Sequence, residues 1–302
     1  HHLKNVRLRL GYVVELLGDP MVRDLRAIDV VEIRNKAVEA GKAPRTGNLL
    51  VDRLRSMLEW GVANGLIQEN PLRHLKRLPD GGKHQRRRRR ALSEVEIERF
   101  LRAAAEDDAH QFERFRIYGR NWKSVQVGWR IVGHPTRVPQ APLWRFLLET
   151  GCRYGETTKL SWADLALYKR LVQLPETITK SGRGRTIPLL PEMVSQLNQL
   201  RSVHERVLGR ALVSNDRVFL GPAGKPWPWH TANLAKHFER LLAKAGIERD
   251  DDQGRRLDIH GLRHSFATRL ARAGVGLVHT QRLMGHSDPR LTASAYTHLG
   301  VE

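Results

Sequence analysis

Segment 258–299 carries four side chains whose types and spacing suit work on a phosphate: His260, Arg263, His286 and Tyr296. His260 and Arg263 are three residues apart, so on a helix both project from one face. Arginine binds phosphate oxygens through paired donors, histidine exchanges protons near neutral pH, and tyrosine can act as a covalent nucleophile. This combination suggests phosphoryl transfer.

Three consecutive short helices are predicted to carry these residues. Gly285 is expected to end one helix in a left-handed cap, directly before His286. Ser287 or Asp288 can cap the next helix, which would finish near Tyr296. A phosphate pocket also needs a further cation and an acid for the leaving group, so the elements upstream must supply them.

The composition indicates two domains and a polyanionic partner. The chain has 302 residues, of which 40% are hydrophobic and 28% charged, enough for more than one core. Its net charge of +20 favours nucleic acid as the partner over a membrane surface. No apolar run approaches the length of a membrane span, and no signal peptide is visible. The single cysteine, Cys152, excludes an internal disulfide and a multi-cysteine zinc site, so a reducing compartment is expected.

Residues 1–80 are predicted to form a small helical bundle. A first helix follows from apolar residues at helical spacing near the start of the chain. A second is expected to begin at Asp29, with Glu32 completing a capping box, and Thr46 is expected to cap a third. The Asn-Pro pair at 70–71 ends this helical region.

Residues 81–90 are predicted to be a basic interdomain linker. The segment contains Gly-Gly and lacks apolar residues, as linkers do, and it ends in five arginines: Arg86, Arg87, Arg88, Arg89 and Arg90. One interpretation is a solvated, self-repelling spacer. We favour the other, in which these arginines lie along the phosphates of a bound duplex and add affinity without reading sequence.

Residues 91–302 are predicted to form a second, larger domain. Ser93 and Glu96 make a capping box for a helix ending near residue 105. The stretch 106–142 is rich in Arg, Trp, Gly and Pro without a clean period; it could contact DNA backbone, although local packing of its tryptophans is the commoner case. Two nearby glycines place Arg153 at the start of a short helix, an end suited to an anion.

A change of period predicts a small antiparallel sheet. The three strands are predicted at 165–168, 171–178 and 185–189. The glycine-rich turn of the second hairpin carries Lys180 and Arg183. Helical patterns return at 191–208 and 231–245. The predicted fold class is therefore mainly α with a small antiparallel β-sheet.

Five short segments resemble, in order, the active-site motifs of the tyrosine recombinases, the phage-integrase family. They read TGCRYGE at 150–156, TKSG at 179–182, HGLRHSFAT at 260–268, LMGHS at 283–287 and YTH at 296–298. Each motif alone is weak, but five in the family's order and spacing are specific. The resemblance implies that residues 91–302 form a catalytic domain, and residues 1–80 are similar to the family's helical core-binding domain.

This resemblance implies a role for four phosphate-binding side chains. Arg153 and Arg263 match the two arginines that clamp the scissile phosphate. His260 and His286 match the histidines that bind it and assist proton movement. An arginine pair offers permanently charged, bidentate donors to the negative charge that gathers on the non-bridging oxygens during attack.

Three further matches complete the implied site. Tyr296 matches the nucleophile, and Lys180 matches a hairpin lysine that acts as general acid toward the leaving 5′ oxygen. Glu156 matches an acidic position that holds the site together. Tyrosine has an ordinary pKa of about 10, so it needs a cationic pocket or a nearby base to attack at neutral pH. Arg183 is expected to bind DNA backbone beside the linker arginines.

The activity implied by the resemblance is site-specific DNA recombination, in which strands are cleaved and rejoined through a 3′-phosphotyrosine and a Holliday junction. The implied assembly is a homo-tetramer on double-stranded DNA with specific recombination sites, with accessory directionality proteins as possible partners. A phosphotyrosine conserves the energy of the broken bond, so no ATP is needed. No acidic cluster suited to Mg²⁺ is apparent, and neither metal nor cofactor is expected. The expected location is the bacterial cytoplasm, in association with the nucleoid.

Two other functions stay open at this point. One is a type IB topoisomerase-like enzyme, which relaxes supercoils by the same chemistry; the other is a DNA-binding protein without activity. The helical first domain ending in Asn-Pro favours the recombinase. The stretch 106–142 is longer than the family's usual connection, and only six residues follow Tyr296. No C-terminal docking helix or N-terminal arm-binding domain is recognised, so both a two-domain enzyme and a fragment of a longer integrase fit.

Overall fold

Helices dominate the computed structural model, which describes residues 2–79, 88–117, 137–227, 232–289 and 293. The chain divides into two compact units, residues 1–88 and 89–302. Among the described residues, no helix is long and apolar enough to cross a bilayer. The predicted fold class, mainly α with a small antiparallel sheet, is confirmed.

The described residues of unit 1 form three α-helices: α1 (His2–Leu17), α2 (Ala27–Glu39) and α3 (Pro44–Ala63). Helix α3 packs against both α1 and α2, because its apolar residues recur at helical spacing and bury one face. The most deeply buried hydrophobic side chains of this unit are Val13, Leu54, Leu58 and Leu72.

Two predicted helix starts in unit 1 are wrong. Asp29 is not the cap of α2 but its third residue, where its carboxylate accepts the backbone N–H of Arg26 at 3.1 Å. Thr46 lies within α3, which begins at Pro44 because proline fits the first helical turn. An acidic or hydroxyl side chain is favourable both at the cap and in the first turn, so local sequence does not separate the two positions.

Unit 2 contains seven helices within the described ranges: α4 (Glu94–Ile117), α5 (Ala141–Thr150), α6 (Tyr154–Thr157), α7 (Pro191–Leu208), α8 (Ala232–Lys244), α9 (Ile259–Arg272) and α10 (Leu277–Met284). Helix α5 packs against α4, α7 and α9. Its Trp144 is fully buried, with its ring centroid 5.7 Å from that of Phe100 and 5.6 Å from that of Phe238. The helix that leads to Arg153 therefore lies at the centre of the core.

Helix α4 continues well past residue 105, where the sequence predicted its end. The capping box of Ser93 and Glu96 that starts it is confirmed. In the added turns, the carboxylate of Asp108 accepts the backbone N–H groups of Gln140 and Ala141 at 2.9 and 2.8 Å, and so caps α5 from outside. The first part of the stretch 106–142 thus supports the fold. Its tryptophans, Trp122 and Trp129, lie outside the described residues.

The predicted three-stranded sheet is present with shorter strands. Its strands are β2 (Leu165–Ala166), β3 (Leu171–Leu174) and β4 (Arg185–Pro188), antiparallel and in that order. Val172 pairs with Ile187, and both are buried. Two further short strands, β1 (Arg88–Arg89) and β5 (Arg255–Arg256), form a separate sheet. Lys180 lies in the turn between β3 and β4, as predicted.

Candidate active site

Arg153 is positioned by an abrupt chain reversal between α5 and α6. Helix α5 ends at Gly151, which has φ 61°, and Arg153 then takes the extended cap position of α6. Glycine is required at 151 for two reasons: the positive φ disfavours a side chain, and a β-carbon there would lie 2.3 Å from Cδ1 of Phe266. The prediction that the glycines place Arg153 at a helix start is confirmed.

Glu156 lies beneath Arg153 with its side chain only 2% exposed. Its Oε1 accepts a hydrogen bond from Nη1 of Arg153 at 2.7 Å, and its Oε2 accepts one from Nη2 of Arg185 at 2.6 Å. Burial opposes ionisation of this carboxyl group, but the bonds and charges of Arg185 and Arg153 outweigh it and hold the pKa of Glu156 below its ordinary value. The carboxylate of Glu156 thus joins two guanidinium groups.

Arg263 enters the same cluster from helix α9. Asp258 caps this helix, with its Oδ1 accepting the backbone N–H of Gly261 at 2.8 Å. The Arg263 side chain is almost completely buried, and its Nη1 and Nη2 donate to the carbonyl oxygens of Gly151 and Met284. Burial, together with the charges of Arg153 and Arg185, lowers the pKa of Arg263 to about 9, so it remains protonated at neutral pH.

The C-terminus of α10 is the common anchor of these arginines. Three successive carbonyl oxygens, those of residues 283, 284 and 285, accept bonds from Arg185, Arg263 and Arg153 respectively. Carbonyls at a helix C-terminus lack helical partners and carry partial negative charge, which suits cationic donors. Gly285 has φ 62° and ends the helix in the predicted left-handed cap.

The two matched histidines lie at the edge of the arginine cluster. His286 follows the cap of α10 and is partly buried, whereas His260 on α9 is exposed. Loss of surrounding water and the charges of Arg263 and Arg153 lower the pKa of His286 to about 4. Reduced solvation and the charges of Arg89 and Arg263 lower the pKa of His260 to about 4 as well. Both imidazoles are therefore neutral at pH 7.

The cluster carries more positive than negative charge. Among the residues that the structure describes, the cluster holds three guanidinium groups, those of Arg153, Arg185 and Arg263, and one carboxylate, that of Glu156. An excess of positive charge in a poorly solvated site favours an anion, and bidentate guanidinium groups suit phosphate oxygens. The arrangement can therefore bind a phosphodiester and stabilise the charge that develops on it.

Comparison with known proteins agrees with this geometry. Residues 130–302, more than half of the chain, match the model of the phage integrase family. The chain belongs to the phage integrase family. It is 24% identical over 307 residues to a tyrosine recombinase XerC-like protein of Caldanaerobacter subterraneus subsp. tengcongensis, covering 91% of this chain and 68% of the relative. It is 27% identical over 271 residues to tyrosine recombinase XerD of Listeria innocua, covering 90% of this chain and 77% of the relative.

Solved integrase structures share the fold. The Tn1549 transposon integrase in complex with transposon right end DNA is 21% identical and has a TM-score of 0.71, covering 98% of this chain and 89% of that one. A λ integrase tetramer bound to a Holliday junction is 17% identical with a TM-score of 0.62, covering 95% and 72%. At these identities the likeness shows the fold alone.

The remaining residues predicted for this integrase site lie apart from the cluster or outside the description. Lys180 and Arg183 are exposed in the β3–β4 turn. Lys180 has no hydrogen bond or ion pair with another residue that the structure describes, so its role as general acid stays a prediction. Tyr296 lies outside the described residues, and its role as nucleophile likewise stays a prediction.

The linker arginines that the structure describes differ in their exposure and in their partners. The prediction that Arg90 binds DNA backbone is wrong. Its guanidinium is buried and bonded to Glu96 at 2.9 Å and to the carbonyl of Glu248, so it is unavailable to DNA phosphates. Arg89 is half exposed and forms an ion pair with Asp258 at 3.0 Å. Arg88 is described only in its backbone, and Arg86 and Arg87 lie outside the described residues.

Arg185 is the functional candidate that the sequence prediction missed. Its side chain is 7% exposed and bonds both Glu156 and the end of α10. One signal was available: alternation along β4 puts Arg185 on the same face as the buried Ile187, which indicates an arginine that points inward. An inward arginine needs a buried partner, and Glu156 is the partner.

Metal ligands are absent from the described part of the site. No group of three or more histidine, cysteine, aspartate or glutamate side chains there could hold a metal ion. Cys152, beside Arg153, is buried, and burial raises the pKa of its thiol to about 11, so it remains protonated.

Proposed function

We propose that this protein is a site-specific DNA recombinase that cleaves and rejoins DNA strands with Tyr296 as the nucleophile. The observation that carries the proposal is the cluster of Arg153, Glu156 and Arg263 at the end of α10, next to His286, in a chain of the phage integrase family. The relatives reported above are tyrosine recombinases, which supports the same reaction class.

In the proposed reaction, Tyr296 Oη attacks the scissile phosphorus in line. A P–O bond forms to the tyrosine, the bond to the 5′ oxygen breaks, and Lys180 donates the proton that the leaving oxygen takes up. Arg153 and Arg263 bind the non-bridging oxygens, where negative charge gathers. The 3′-phosphotyrosine retains the energy of the broken diester, so a 5′-hydroxyl can reverse the step without ATP.

The neutral histidines fit this sequence of proton movements. An imidazole with a pKa of about 4 is unprotonated at pH 7, so His286 can accept a hydrogen bond or a proton from the attacking phenol. A neutral ring can also donate its remaining N–H to a phosphate oxygen. His260 can serve in the same two ways from α9.

The proposed partner is double-stranded DNA that carries specific recombination sites. The net charge of +20 supports a polyanion, and the integrase structures of the same fold include a complex with transposon end DNA and a tetramer on a Holliday junction. We extend both features to this chain: DNA binding by residues 1–80 and 91–302, and a homo-tetramer during strand exchange. We also propose that accessory directionality proteins act with this recombinase and that it is associated with the bacterial nucleoid.

The topoisomerase-like alternative has less support. Both relatives reported above are recombinases, and the first unit is a helical bundle that ends near the Asn-Pro pair. A relaxation assay separates the two functions. Steady relaxation of supercoiled plasmid by the monomer, without recombination of paired sites, would reverse this choice.

Covalent capture tests the proposed function directly. The protein is incubated with a library of nicked duplexes, in which the cut fragment diffuses away and leaves the enzyme attached, and the captured DNA is sequenced. We expect adducts with the wild type and with Tyr168→Phe, whose tyrosine is exposed in the β2–β3 turn, but none with Tyr296→Phe. Adducts of Tyr296→Phe would remove Tyr296 from the role, and a recurrent captured sequence would give the target site.

A further inference from the structure

Arg185 has every nitrogen of its guanidinium engaged by the protein. Its Nε donates to the carbonyl of Leu283 at 3.0 Å, its Nη2 to Glu156 Oε2 at 2.6 Å, and its Nη1 approaches Glu156 Oε1 at 3.4 Å. With its side chain 7% exposed, this arginine is directed at other parts of the protein and away from solvent.

Gly285 makes room for this arrangement. A β-carbon at this position would lie 2.8 Å from Nη1 of Arg185 and 3.1 Å from its Cζ. The same residue has φ 62°, which a side chain would strain. Arg185 is thus packed against the backbone that immediately precedes His286.

The two carboxylate oxygens of Glu156 are divided between two arginines. Oε1 takes the shortest bond from Arg153, and Oε2 the shortest bond from Arg185. A continuous chain of contacts therefore runs from Arg153 through Glu156 and Arg185 to the carbonyl of Leu283. Displacing Arg185 would release the carboxylate that orients Arg153 and also the turn that carries His286.

We propose that Arg185 is a positioning residue for strand cleavage, which holds Arg153 and His286 in the geometry that receives the phosphate. The inference rests on the proposed recombinase function. Arg185 itself does not touch the DNA, because its Nε, Nη1 and Nη2 already serve Glu156 and α10, whereas Nε of Arg263 has no partner among the described residues. It joins the sheet to the two sides of the site, and its loss misplaces groups that do touch the phosphate.

The first test compares Arg185→Met and Arg185→Lys in the full chain on captured target DNA. Misplacement of catalytic groups by about 1 Å can cost on the order of 100-fold in rate. We expect Arg185→Met to lower the single-turnover cleavage rate at saturating DNA by about 10–100-fold, with the Kd for DNA changed less than about 3-fold. Lysine can bond Glu156 or the Leu283 carbonyl but not both, so Arg185→Lys should recover only part of the rate.

A double-mutant cycle with Glu156→Gln separates positioning from direct contact. The loss from Arg185→Met should be smaller in the Glu156→Gln background than in the wild type, because the contact through Glu156 is then already weakened and only the bond to the Leu283 carbonyl remains to be lost. Multiplicative losses, or a weaker Kd with an unchanged rate at saturation, would overturn the proposal and make Arg185 a direct phosphate ligand.

A readout independent of activity is the hydrogen exchange of the His286 amide, which donates to the carbonyl of Gln281. Faster exchange there in Arg185→Met, which can bond neither Glu156 nor the Leu283 carbonyl, is expected with the amides of α7 unchanged; unchanged exchange would overturn the proposal. Arg210→Met is the matched control, because Arg210 bonds Asp216 at the surface, and its rate and exchange should equal those of the wild type. Absence of adducts with the wild type would contradict the proposed function, whereas full activity of Arg185→Met would contradict this inference alone.

Discussion

Glu156→Gln should destabilise unit 2 strongly, because this buried carboxylate is the negative partner shared by the buried guanidinium group of Arg185 and the partly exposed one of Arg153. Removing one member of a buried ion pair typically costs about 3–5 kcal/mol, since the charge left behind is unpaired. Two charge-assisted bonds, at about 1.5–3 kcal/mol each, give the same range. Glutamine keeps one acceptor oxygen, which sets the expectation toward the lower end, about 3 kcal/mol.

Scanning calorimetry of the full chain measures this loss. A unit of this size shifts its Tm by about 2–4 °C per kcal/mol, so the transition of unit 2 should fall by about 6–12 °C. The matched control is Glu192→Gln, because Glu192 is mostly exposed and pairs with Arg145 at the surface. A surface pair contributes about 0–1 kcal/mol, so its transition should move by no more than about 4 °C.

The stability difference between the wild type and Glu156→Gln should also depend on pH. The pKa of Glu156 lies below its ordinary value in the folded protein, so the stability it contributes is complete above the ordinary pKa and is lost as pH falls through the folded-state pKa. Glutamine does not titrate. The difference between wild type and variant should therefore be full at pH 7 and shrink below about pH 4. A difference under about 1 kcal/mol at pH 7, or one that stays constant from pH 7 to pH 3, would refute the reasoning.

Three other changes should give distinct results. Gly151→Ala, where a β-carbon meets the Phe266 ring, should cost about 1–3 kcal/mol more in unfolding free energy than Gly209→Ala, which has similar φ but open space. Lys180→Ala should cut cleavage sharply, and a substrate with sulfur at the 5′ bridging position should restore it, because sulfur leaves without a proton. Replacing the arginines at 86–87 by glutamine should weaken DNA binding equally on all sequences and reduce the salt slope by about 0.9 for each phosphate that is no longer neutralised.

Each of these has an outcome that contradicts it. Equal losses for the two glycine variants in urea unfolding would show that backbone strain alone matters at these caps. No recovery of the Lys180 variant on the sulfur substrate would argue against this lysine as the general acid. A loss of affinity confined to one target site would mean that the arginines at 86–87 read sequence.

Local signals in the sequence predicted the parts of the site that depend on neighbouring residues. The left-handed cap at Gly285 and the helix start at Arg153 are confirmed, because glycine pattern and helix periodicity act over a few residues. Arg185 and Arg90 were misjudged because their surroundings are set by distant residues. In a run of five arginines nothing local marks Arg90, yet its side chain is buried against Glu96 and the carbonyl of Glu248.

Helix ends likewise depend partly on neighbouring residues and partly on residues distant in the sequence. The start of α4 follows from the local capping box, but its continuation past residue 105 depends on the carboxylate of Asp108 reaching the first turn of α5. That contact joins residues 32 positions apart and is not visible in a short window of sequence. Tertiary partners therefore decide such elements where intrinsic preference is weak.

The shared anchor at the end of α10 has a consequence for biosynthesis. The carbonyl of Gly285 that receives Arg153 lies 132 residues further along the chain, and that of Leu283, which receives Arg185, lies 98 residues beyond its donor. A growing or truncated chain that lacks this stretch leaves its arginines without these partners. Under the proposed function, DNA cleavage then requires that α10 has docked against α9 and β4, and a chain that ends before α10 should not cleave DNA.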